Sequence, residues 1–468
     1  MHKLFPVNVR SSPKLPGNSI VVPGEVLRTA NAVIGQQVEL SFGKRMVSVR
    51  LAGTAPESPG NQSIYLAENI RQQLLLPASV LLNLLPDRNT GRWRLGPLIG
   101  IFANRFEKAG KPFGEQTSFF RSLKAAAARL NAFCFAFCPD DIHWEKEVIR
   151  GFVPPLPGQD TGEWETMVLP FPDVMYDRGL FPRGVKRNAA TNARKVLRNY
   201  PGVRFFNPFF FGKWKTHKLL AKHDGLFPYL PETRFISSMA DIEELVQRHR
   251  TVYLKPSGGS SGKGIMRLTL TREGYSVENR VTRNVQTRIF PERAGLEASL
   301  CRLINEKRFI VQQGLDLAKA HGCPFDIRVL MQKDMAGRWQ RTGMATRVAA
   351  PGSYITNIHA GGKATRISSL LTQAFPGSEV PAKVMREIRR VCSLAVSWLS
   401  AEGSPLFGET AIDLGVDTAG RVWIIEFNAI PGRSVFRRIR AANILARAIA
   451  RPMEYSFFLA GFSMESHK

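Results

Sequence analysis

Apolar and polar positions alternate in different ways along the chain and predict three domains. Residues 1–94 carry short runs of period two separated by Gly, Pro and Asn, which predicts a small β-rich N-terminal domain. Residues 95–204 alternate strand-like apolar runs with a helical pattern, which is typical of a small α/β domain with parallel strands. In residues 205–468 strands and helices mix, which predicts a third, larger domain.

Four local patterns give more specific expectations. The Pro-rich segment 152–172 predicts a loop-bearing connection, and the glycines within 252–270 predict a hairpin between two strands. Residues 240–249 predict an acidic helix. Near the C-terminus, residues 434–450 predict one Arg-rich helix that Pro452 ends, because proline lacks the N–H that a helix interior requires.

The stretch with the most chemical information is an apolar strand predicted from Val422 to Ile430. Glu426 and Asn428 interrupt it two residues apart, and side chains at this spacing point to the same face of a strand. Asp413 lies in an apolar run upstream, and a hairpin through 417–420 brings it beside them. Three such oxygen donors suit Mg²⁺, which binds a few protein oxygens together with phosphate oxygens. The alternative is a strand end with solvated polar residues.

A second candidate site is a glycine-rich loop that follows a strand ending in Lys255. Glycines let backbone N–H groups approach phosphate oxygens, and serine hydroxyls add donors. It is not a Walker A loop, because Ser257 stands in place of the first Gly, Gly264 stands in place of Ser or Thr, and a strand follows instead of a helix. It is not a dinucleotide-binding loop either, because Arg267 occupies the third Gly position. The alternative is an ordinary hairpin turn. The loop residues expected to contact phosphate are Ser257, Gly258, Gly259, Ser260, Ser261, Gly262 and Gly264.

Two further segments are candidates for the binding of a phosphate and of a flat base. Lys213 begins a predicted helix, where its ammonium and the unbonded first N–H groups offer a phosphate site; a solvated lysine is the alternative. A strand from Phe309 leads into a hinge whose backbone suits hydrogen bonds to a flat base. The hinge consists of Gln312, Gln313, Gly314 and Leu315.

Candidate catalytic residues lie on the next strands and loop. Arg328 and Arg347 stand on strand-like runs and suit bidentate pairing with a transferring phosphoryl group or a carboxylate. Asn357 lies in a compact polar loop that begins at Thr356. We expect His217 and His359 to be ordinary surface or loop histidines, because no partner pattern surrounds them.

The formal net charge of +27 calls for an anionic partner. Residues 178–223 contain twelve Lys or Arg and no acid, and residues 335–378 also contain no acid. Both segments flank the candidate phosphate site, which favours an acidic peptide or amino acid as substrate. A nucleic-acid-binding or phosphotransfer function is a competing explanation that charge alone does not exclude, and it predicts steep salt dependence of polynucleotide binding.

Composition indicates a globular intracellular protein. The first residues lack the apolar core of a signal peptide, and no run of about 18 apolar residues suits a membrane span. The five cysteines are few and odd in number, so we expect neither a disulfide framework nor a zinc site. We therefore expect a cytoplasmic location.

Taken in order, these segments resemble the ATP-grasp superfamily of carboxylate–amine ligases from about Arg204 onward, and the whole chain is similar to the YheC/YheD family of endospore coat-associated proteins. The resemblance rests on Asp326-Ile-Arg, the loop from Thr356, Glu426-Phe-Asn with Pro-Gly after it, and Leu169-Pro-Phe-Pro-Asp. It implies an α+β ATP-grasp fold, with two subdomains that clamp a nucleotide, preceded by a pre-ATP-grasp α/β domain.

The resemblance also implies roles for the candidate residues. Lys213 and Lys255 would contact ATP phosphates, the loop from 257 to 264 would close over them, and residues 312–315 would hold adenine. Asp413, Glu426 and Asn428 would bind one or two Mg²⁺ or Mn²⁺ ions. Many relatives carry an acid at the adenine hinge, where this chain has glutamines.

The leading hypothesis is an ATP-dependent ligase that forms an acyl phosphate from a carboxylate and condenses it with an amine, with a role in endospore coat biogenesis. No activated Ser or Cys is needed, because this chemistry depends on positioning and charge neutralisation. The alternative is an inactive nucleotide-binding assembly protein of the spore coat, with coat proteins as partners. We expect a nucleotide and an anionic substrate as partners, and no nucleic acid.

Overall fold

The computed structural model describes residues 3–56, 62–106, 108, 110–155, 164–181, 185–208, 212–258, 264–281, 284–306, 308–353, 356, 361–401 and 406–462. These residues form four β-sheets in sequence order, each with its own covering helices or closed upon itself. None of the described helices combines the length and the apolar character that a membrane span requires.

The first sheet is a closed barrel of the order β1-β5-β2-β4-β3-β7-β6. Its strands alternate between buried and exposed residues: Phe5, Val7 and Val9 of β1 point into the barrel core. The strands are β1 (Phe5–Ser11), β2 (Ser19–Pro23), β3 (Gln37–Phe42), β4 (Arg45–Ala55), β5 (Ser63–Leu66), β6 (Ser79–Pro86) and β7 (Arg92–Gly96), and the helices are α1 (Gly24–Ala30) and α2 (Glu68–Leu74).

The second sheet has the order β10-β11-β9-β8-β13-β14, with β12 paired to β11. Its centre is parallel, as the strand and helix alternation predicts, whereas β10 to β12 are antiparallel. The elements are β8 (Leu98–Phe102), β9 (Phe133–Phe137), β10 (Ile142–His143), β11 (Val148–Val153), β12 (Glu165–Pro170), β13 (Val174–Asp177) and β14 (Arg204–Phe206), with α3 (Thr117–Ala128) and α4 (Val185–Arg198).

The third sheet has the order β15-β20-β16-β17-β18-β19, and its α6 and α7 pack on one face. The expected acidic helix and the hairpin of β16 and β17 are both present. The elements are α5 (Lys213–Leu220), β15 (Thr233–Phe235), α6 (Met239–His249), β16 (Thr251–Pro256), β17 (Met266–Thr271), β18 (Gly274–Val281), β19 (Asn284–Phe290), α7 (Arg293–Asn305) and β20 (Phe309–Gln313).

The fourth sheet has the order β24-β23-β22-β25-β26, with β21 paired to β22. Strand β25 is buried along its whole length because β22 and β26 flank it and α9 covers it. The elements are β21 (Lys319–Ala320), β22 (Cys323–Lys333), β23 (Trp339–Val348), β24 (Lys363–Thr365), α8 (Ile367–Ala374), α9 (Val380–Ala401), β25 (Glu409–Val416), β26 (Val422–Asn428), α10 (Ser434–Arg438) and α11 (Ala442–Leu459).

The prediction of a loop-bearing connection over residues 152–172 is wrong in part. Strand β12 occupies Glu165–Pro170 and pairs with β11 through six residues, from Val148↔Pro170 to Val153↔Glu165. Proline is compatible with this strand because Pro170 is its last residue and β12 is an edge strand, so no ladder donor is lost.

The prediction of one C-terminal helix ended by Pro452 is also wrong. The chain breaks between α10 and α11 at Arg440, which has a left-handed φ of 52°, and α11 continues through Pro452. The carbonyl of Ala448, which loses its helical donor to the proline ring, accepts hydrogen bonds from Gln332 Nε2 at 3.0 Å and Arg433 Nε at 3.1 Å. Tertiary contacts therefore satisfy the group that proline leaves unbonded.

Candidate functional site

A cleft lies between the third and fourth sheets, and helix α5 joins its two walls because it contacts both β15 and β26. Six of its lining residues are apolar and seven are polar or charged, and a combination of apolar surface with converging polar groups is typical of a ligand cleft. Its lining residues are Lys213, Thr216, His217, Leu220, Leu230, Thr233, Lys255, Ile310, Gln312, Ile424, Ile425, Glu426 and Phe427.

The hairpin of β25 and β26 brings the three predicted metal ligands together. Asp413 pairs with Glu426, and Ala411 pairs with Asn428, so all three side chains lie on one face of the sheet. Asn428 donates its amide Nδ2–H to Asp413 Oδ2 at 3.1 Å. The strand ends at Asn428, two residues before the predicted end.

The carboxylate of Asp413 is held by two arginines from the neighbouring strands. Arg328 donates from Nε and Nη2 to the two carboxylate oxygens at 2.8 Å each, and Arg347 Nη2 lies 2.9 Å from Oδ2. Burial alone would raise the pKa of Asp413, but the two guanidinium groups outweigh burial and hold that pKa well below its usual range. The carboxylate is therefore charged at every physiological pH.

Arg347 also forms a bidentate pair with Asp326 across the β22–β23 ladder. Its Nε lies 2.7 Å from Oδ1 and its Nη2 lies 2.5 Å from Oδ2 of Asp326. Thr356 donates its hydroxyl to Asp326 Oδ2 as well. Burial opposes the charge on Arg347, but the two carboxylates raise its pKa above the ordinary value, so Arg347 is a fixed cation.

Lys213 lies at the start of α5 and reaches the sheet face that carries Asp413, Glu426 and Asn428. Its Nζ is 3.1 Å from Glu426 Oε1. The backbone N–H of Lys213 donates to Ser257 O at 2.8 Å, so this first helical N–H binds the glycine-rich loop and not an anion. A Cβ on Gly212 would lie 2.6 Å from that same Ser257 oxygen, which makes glycine necessary for the close approach.

Lys255 reaches into the cleft from the end of β16. Its ammonium donates to Gln312 Oε1, and Gln312 Nε2 donates in turn to Thr233 Oγ1 at 2.9 Å. Burial lowers the pKa of Lys255 to about 8, and Lys213 contributes to the same shift, while Glu426 opposes it. Lys255 and Lys213 therefore approach Glu426 together, and an anion placed between them would favour the charged form of Lys255.

The predicted base-binding hinge begins at the end of β20. Gln312 and Gln313 are held in the ladder between β15 and β16, and the Oε1 atom of Gln313 accepts the N–H of Glu232 at 3.1 Å. Gly314 donates its N–H to Thr251 O at 2.8 Å. Leu315 follows where the chain leaves the sheet, and the adenine contact of this hinge stays a prediction.

The glycine-rich loop is described at its two ends. Ser257 donates its N–H to Arg308 O at 2.7 Å, Gly258 is exposed, and Gly264 has a left-handed φ of 72°. Gly259, Ser260, Ser261, Gly262, Asn357 and His359 lie outside the described residues. The phosphate contacts of the loop and the role of Asn357 stay predictions.

His217 is not the surface or loop histidine that the sequence suggested. It lies on α5, lines the cleft and stacks on Trp214 with ring centroids 5.8 Å apart. Burial lowers its pKa to about 4, so it is neutral near pH 7. Its place four residues after Lys213 on the same helix was a usable signal, because this spacing returns to the same helix face.

The donor set fits a hard divalent cation. Asp413 and Glu426 supply carboxylate oxygens, and Asn428 supplies an amide oxygen. Among the described residues no group of three His, Cys, Asp or Glu side chains suits a metal ion, so the site depends on the asparagine as its third donor. The ion pairs of Asp413 and Glu426 neutralise both carboxylates, and a cation would compete with those pairs.

Comparisons with known proteins agree with this architecture. The family described as YheC/D-like ATP-grasp matches residues 202–459, which is more than half of the chain. Endospore coat-associated protein YheD of Bacillus subtilis (strain 168) is 30% identical over 402 residues, covering 85% of this chain and 86% of that protein. Endospore coat-associated protein YheC of the same organism is 25% identical over 280 residues, covering 59% of this chain and 75% of that protein.

Solved structures of low identity also match. The ATP-grasp ligase PsnB with a minimal precursor is 13% identical, with a TM-score of 0.44, and the match covers 76% of this chain and 98% of that one. D-cycloserine synthetase DcsG is 13% identical, with a TM-score of 0.43, and the match covers 76% of this chain and 99% of that one. From the matched family and the relative at 30% identity, the chain belongs to the YheC/D-like ATP-grasp family.

Proposed function

We propose that the protein is an ATP-dependent carboxylate–amine ligase. The observation that carries this proposal is that Lys213, Lys255 and Glu426 line one cleft, with Asp413 and Asn428 beside Glu426 on the same face of the sheet. Lys213 lies 3.1 Å from Glu426, and Asn428 lies 3.1 Å from Asp413. Oxygen donors opposite two ammonium groups suit a metal-bound polyphosphate.

The chain's own residues would act by binding and by neutralising charge. Lys213 and Lys255 would hold the phosphates, and Gln312 with the apolar walls would hold the base. Mg²⁺ or Mn²⁺, held by Asp413, Glu426 and Asn428, would neutralise phosphate charge when bound. The described cleft offers these groups without a protein nucleophile, which fits direct transfer between substrates.

The proposed chemistry has two steps. A substrate carboxylate oxygen attacks the γ-phosphorus of ATP, and the bond to the ADP oxygen breaks, which gives an acyl phosphate and ADP. An amine then attacks the acyl carbon, phosphate leaves, and the amine loses a proton, which gives an amide. Arg328 and Arg347 both contact Asp413, so their guanidinium groups suit the stabilisation of the transferring phosphoryl group.

The test is ADP release from the purified protein with Mg²⁺, ATP and a panel of carboxylic acids, acidic peptides and amines. Mass spectrometry should detect a condensation product that appears only with ATP. Glu426→Gln should abolish ADP release, whereas Glu39→Gln, at an exposed pair with Arg92 on the barrel, should leave it unchanged. Equal ADP release by Glu426→Gln and the unmodified protein would contradict the metal assignment.

A second candidate is a nucleotide-binding assembly protein without turnover. Two observations favour it: Arg328 and Arg347 already occupy the carboxylate of Asp413, and both relatives are named as endospore coat-associated proteins. It predicts that ADP binds with an affinity that Mg²⁺ changes little, and that no acid or amine produces ADP release. Equilibrium binding of ADP with and without Mg²⁺ separates the two candidates.

A further inference from the structure

A second cleft lies along helix α4, outside the cleft between the third and fourth sheets. It has a volume of about 450 Å³ and is lined by α4 together with Phe181 and Pro208. The α4 residues that line it include Arg187, Thr191 and Arg198. None of the residues assigned to the nucleotide or the metal lines this cleft.

The spacing along α4 places its cations on one face. Arg187, Thr191, Lys195 and Arg198 follow one another at intervals of four and three residues and are all exposed. The opposite face, with Ala190, Ala193 and Leu197, is buried in the core. From Arg187 to Arg198 the helix rises about 16 Å, so the face presents an extended basic strip and not a single point of charge.

Arg194 lies at the base of the cleft and is neutralised within the protein. Its Nε lies 2.6 Å from Oδ2 of the buried Asp177, and its Nη2 donates to Gly179 O at 2.7 Å. Its guanidinium also lies over the rings of Phe102 and Phe181. Arg194 therefore fixes the floor of the cleft.

The side chains of Arg187, Lys195 and Arg198 are placed to bind an anionic ligand. Arg187, Lys195 and Arg198 form no ion pair with any residue that the structure describes. Thr191 donates its hydroxyl to Arg187 O, and Asn199 donates its amide to Lys195 O, so these polar neighbours are bonded to the helix backbone. Three like charges along one cleft repel one another, and an anionic ligand would relieve this repulsion.

The α4 cleft lies close to the sheet face that carries Asp413, Glu426 and Asn428. Pro208 lines the cleft, and the adjacent Asn207 is buried and donates its amide to Glu409 O and Ala429 O at 2.9 Å each. Ala429 directly follows the predicted metal ligand Asn428. Lys213 follows Pro208 by five residues, so these two residues lie at most about 17 Å apart. The α4 cleft and the proposed site of phosphoryl transfer therefore lie within the span of one short peptide segment.

We propose that the α4 cleft binds an acidic peptide segment of the substrate and so delivers its carboxylate to the ligase site. This proposal rests on the proposed function. Side-chain carboxylates complement Arg187, Lys195 and Arg198 through charge-assisted hydrogen bonds. A nucleic acid is disfavoured because the lining aromatic ring, Phe181, already packs against Phe102 at 5.7 Å and under Arg194, so it is not presented to a base.

The test compares the affinity of a labelled oligoglutamate peptide for three variants in the absence of ATP, at about 0.1 M salt. The triple variant Arg187→Glu/Lys195→Glu/Arg198→Glu should bind the peptide at least about tenfold more weakly. Thr191→Trp, which fills the cleft without a change of charge, should weaken binding as well. The control Lys14→Glu/Arg50→Glu/Arg88→Glu makes the same charge change at exposed sites of the barrel and should keep the affinity.

Three outcomes would overturn the proposal. The first is a difference of less than about threefold in peptide affinity between the triple variant and its control, because the loss of three charge contacts should weaken binding by more than this. The second is peptide binding by Thr191→Trp that is as tight as that of the unmodified protein. The third is a single-stranded oligonucleotide of equal charge that binds more tightly than the peptide and loses its binding in the triple variant, which would assign the cleft to nucleic acid. Because ATP is absent, failure here leaves the ADP-release test of the ligase unaffected.

Discussion

Asp413 and Glu426 are proposed to bind the same metal, yet the structure predicts very different stability costs for their removal. The Asp413 carboxylate is buried and accepts three guanidinium contacts, at 2.8, 2.8 and 2.9 Å, from Arg328 and Arg347. Glu426 is a quarter exposed, and its one ion pair among the described residues is with Lys213 at 3.1 Å. Asp413→Asn and Glu426→Gln therefore separate the structural role from the metal-binding role.

The loss of unfolding free energy in each variant follows from the burial of the carboxylate that is removed. Asp413→Asn places an amide donor against guanidinium donors and leaves the charge on Arg328 without its partner, which should lower the free energy of unfolding by about 3–5 kcal/mol. Glu426→Gln breaks one partly exposed ion pair and should lower the free energy of unfolding by at most about 1 kcal/mol. Both variants should lose Mg²⁺-dependent ADP binding.

The assay is urea denaturation monitored by tryptophan fluorescence, with ADP affinity measured in parallel by calorimetry. The double variant Asp413→Asn/Arg328→Gln removes both partners, so it should recover part of the lost stability without recovery of Mg²⁺-dependent binding. Two results would refute the reasoning. One is an equal loss of stability in Asp413→Asn and Glu426→Gln; the other is Mg²⁺-dependent ADP binding that survives in Asp413→Asn.

Four further outcomes are expected. Because burial lowers the pKa of Lys255 to about 8 and phosphate prefers its charged form, ADP affinity should fall as pH rises above about 8, by up to about tenfold per unit, and Lys255→Met should remove this dependence in calorimetric titrations. The folded protein holds His217 neutral down to about pH 4, whereas the unfolded chain takes up the proton below about pH 6.5. The free energy of unfolding should therefore decrease as pH falls from about 6.5 to about 4, by at most about 3 kcal/mol. His217→Gln should reduce this pH dependence of the urea midpoint. Gly212→Ala should weaken ADP binding about tenfold, since its Cβ would meet Ser257 O at 2.6 Å, whereas Gly53→Ala in the barrel, whose Cβ would lie 3.9 Å from the nearest atom of Val21, should not. Glu409→Gln should cost about 3–5 kcal/mol in urea unfolding, because Glu409 is buried between Arg178 at 3.0 Å and Arg433 at 2.5 Å; a cost as small as that of Glu39→Gln would contradict this.

The sequence predicted the β25–β26 hairpin and the convergence of Asp413, Glu426 and Asn428, because all three follow from local rules. Strand alternation places Glu426 and Asn428 on one face, and the turn through Asp417 and Gly420 sets the register with Asp413. The same kind of local signal predicted helix α6 and the hairpin of β16 and β17.

The sequence did not predict Pro452 inside α11 or His217 in the cleft. Proline is a helix breaker by local rules, but here Gln332 and Arg433 supply donors to the carbonyl of Ala448 from distant parts of the chain. The exposed fraction of a histidine depends likewise on which elements cover its helix, and α5 happens to join two sheets.

Local periodicity and turn chemistry thus determined which residues share a face and which strands pair in sequence, since those interactions act over a few residues. Only the tertiary structure decided the partners of charged groups. Asp413 is held by Arg328 and Arg347, and Lys213 meets Glu426, whereas three cations of α4 form no ion pair within the part of the chain that the structure describes. The physical reason is that ion pairing and burial depend on distance in space, and residues far apart in the chain come into contact only when the sheets assemble.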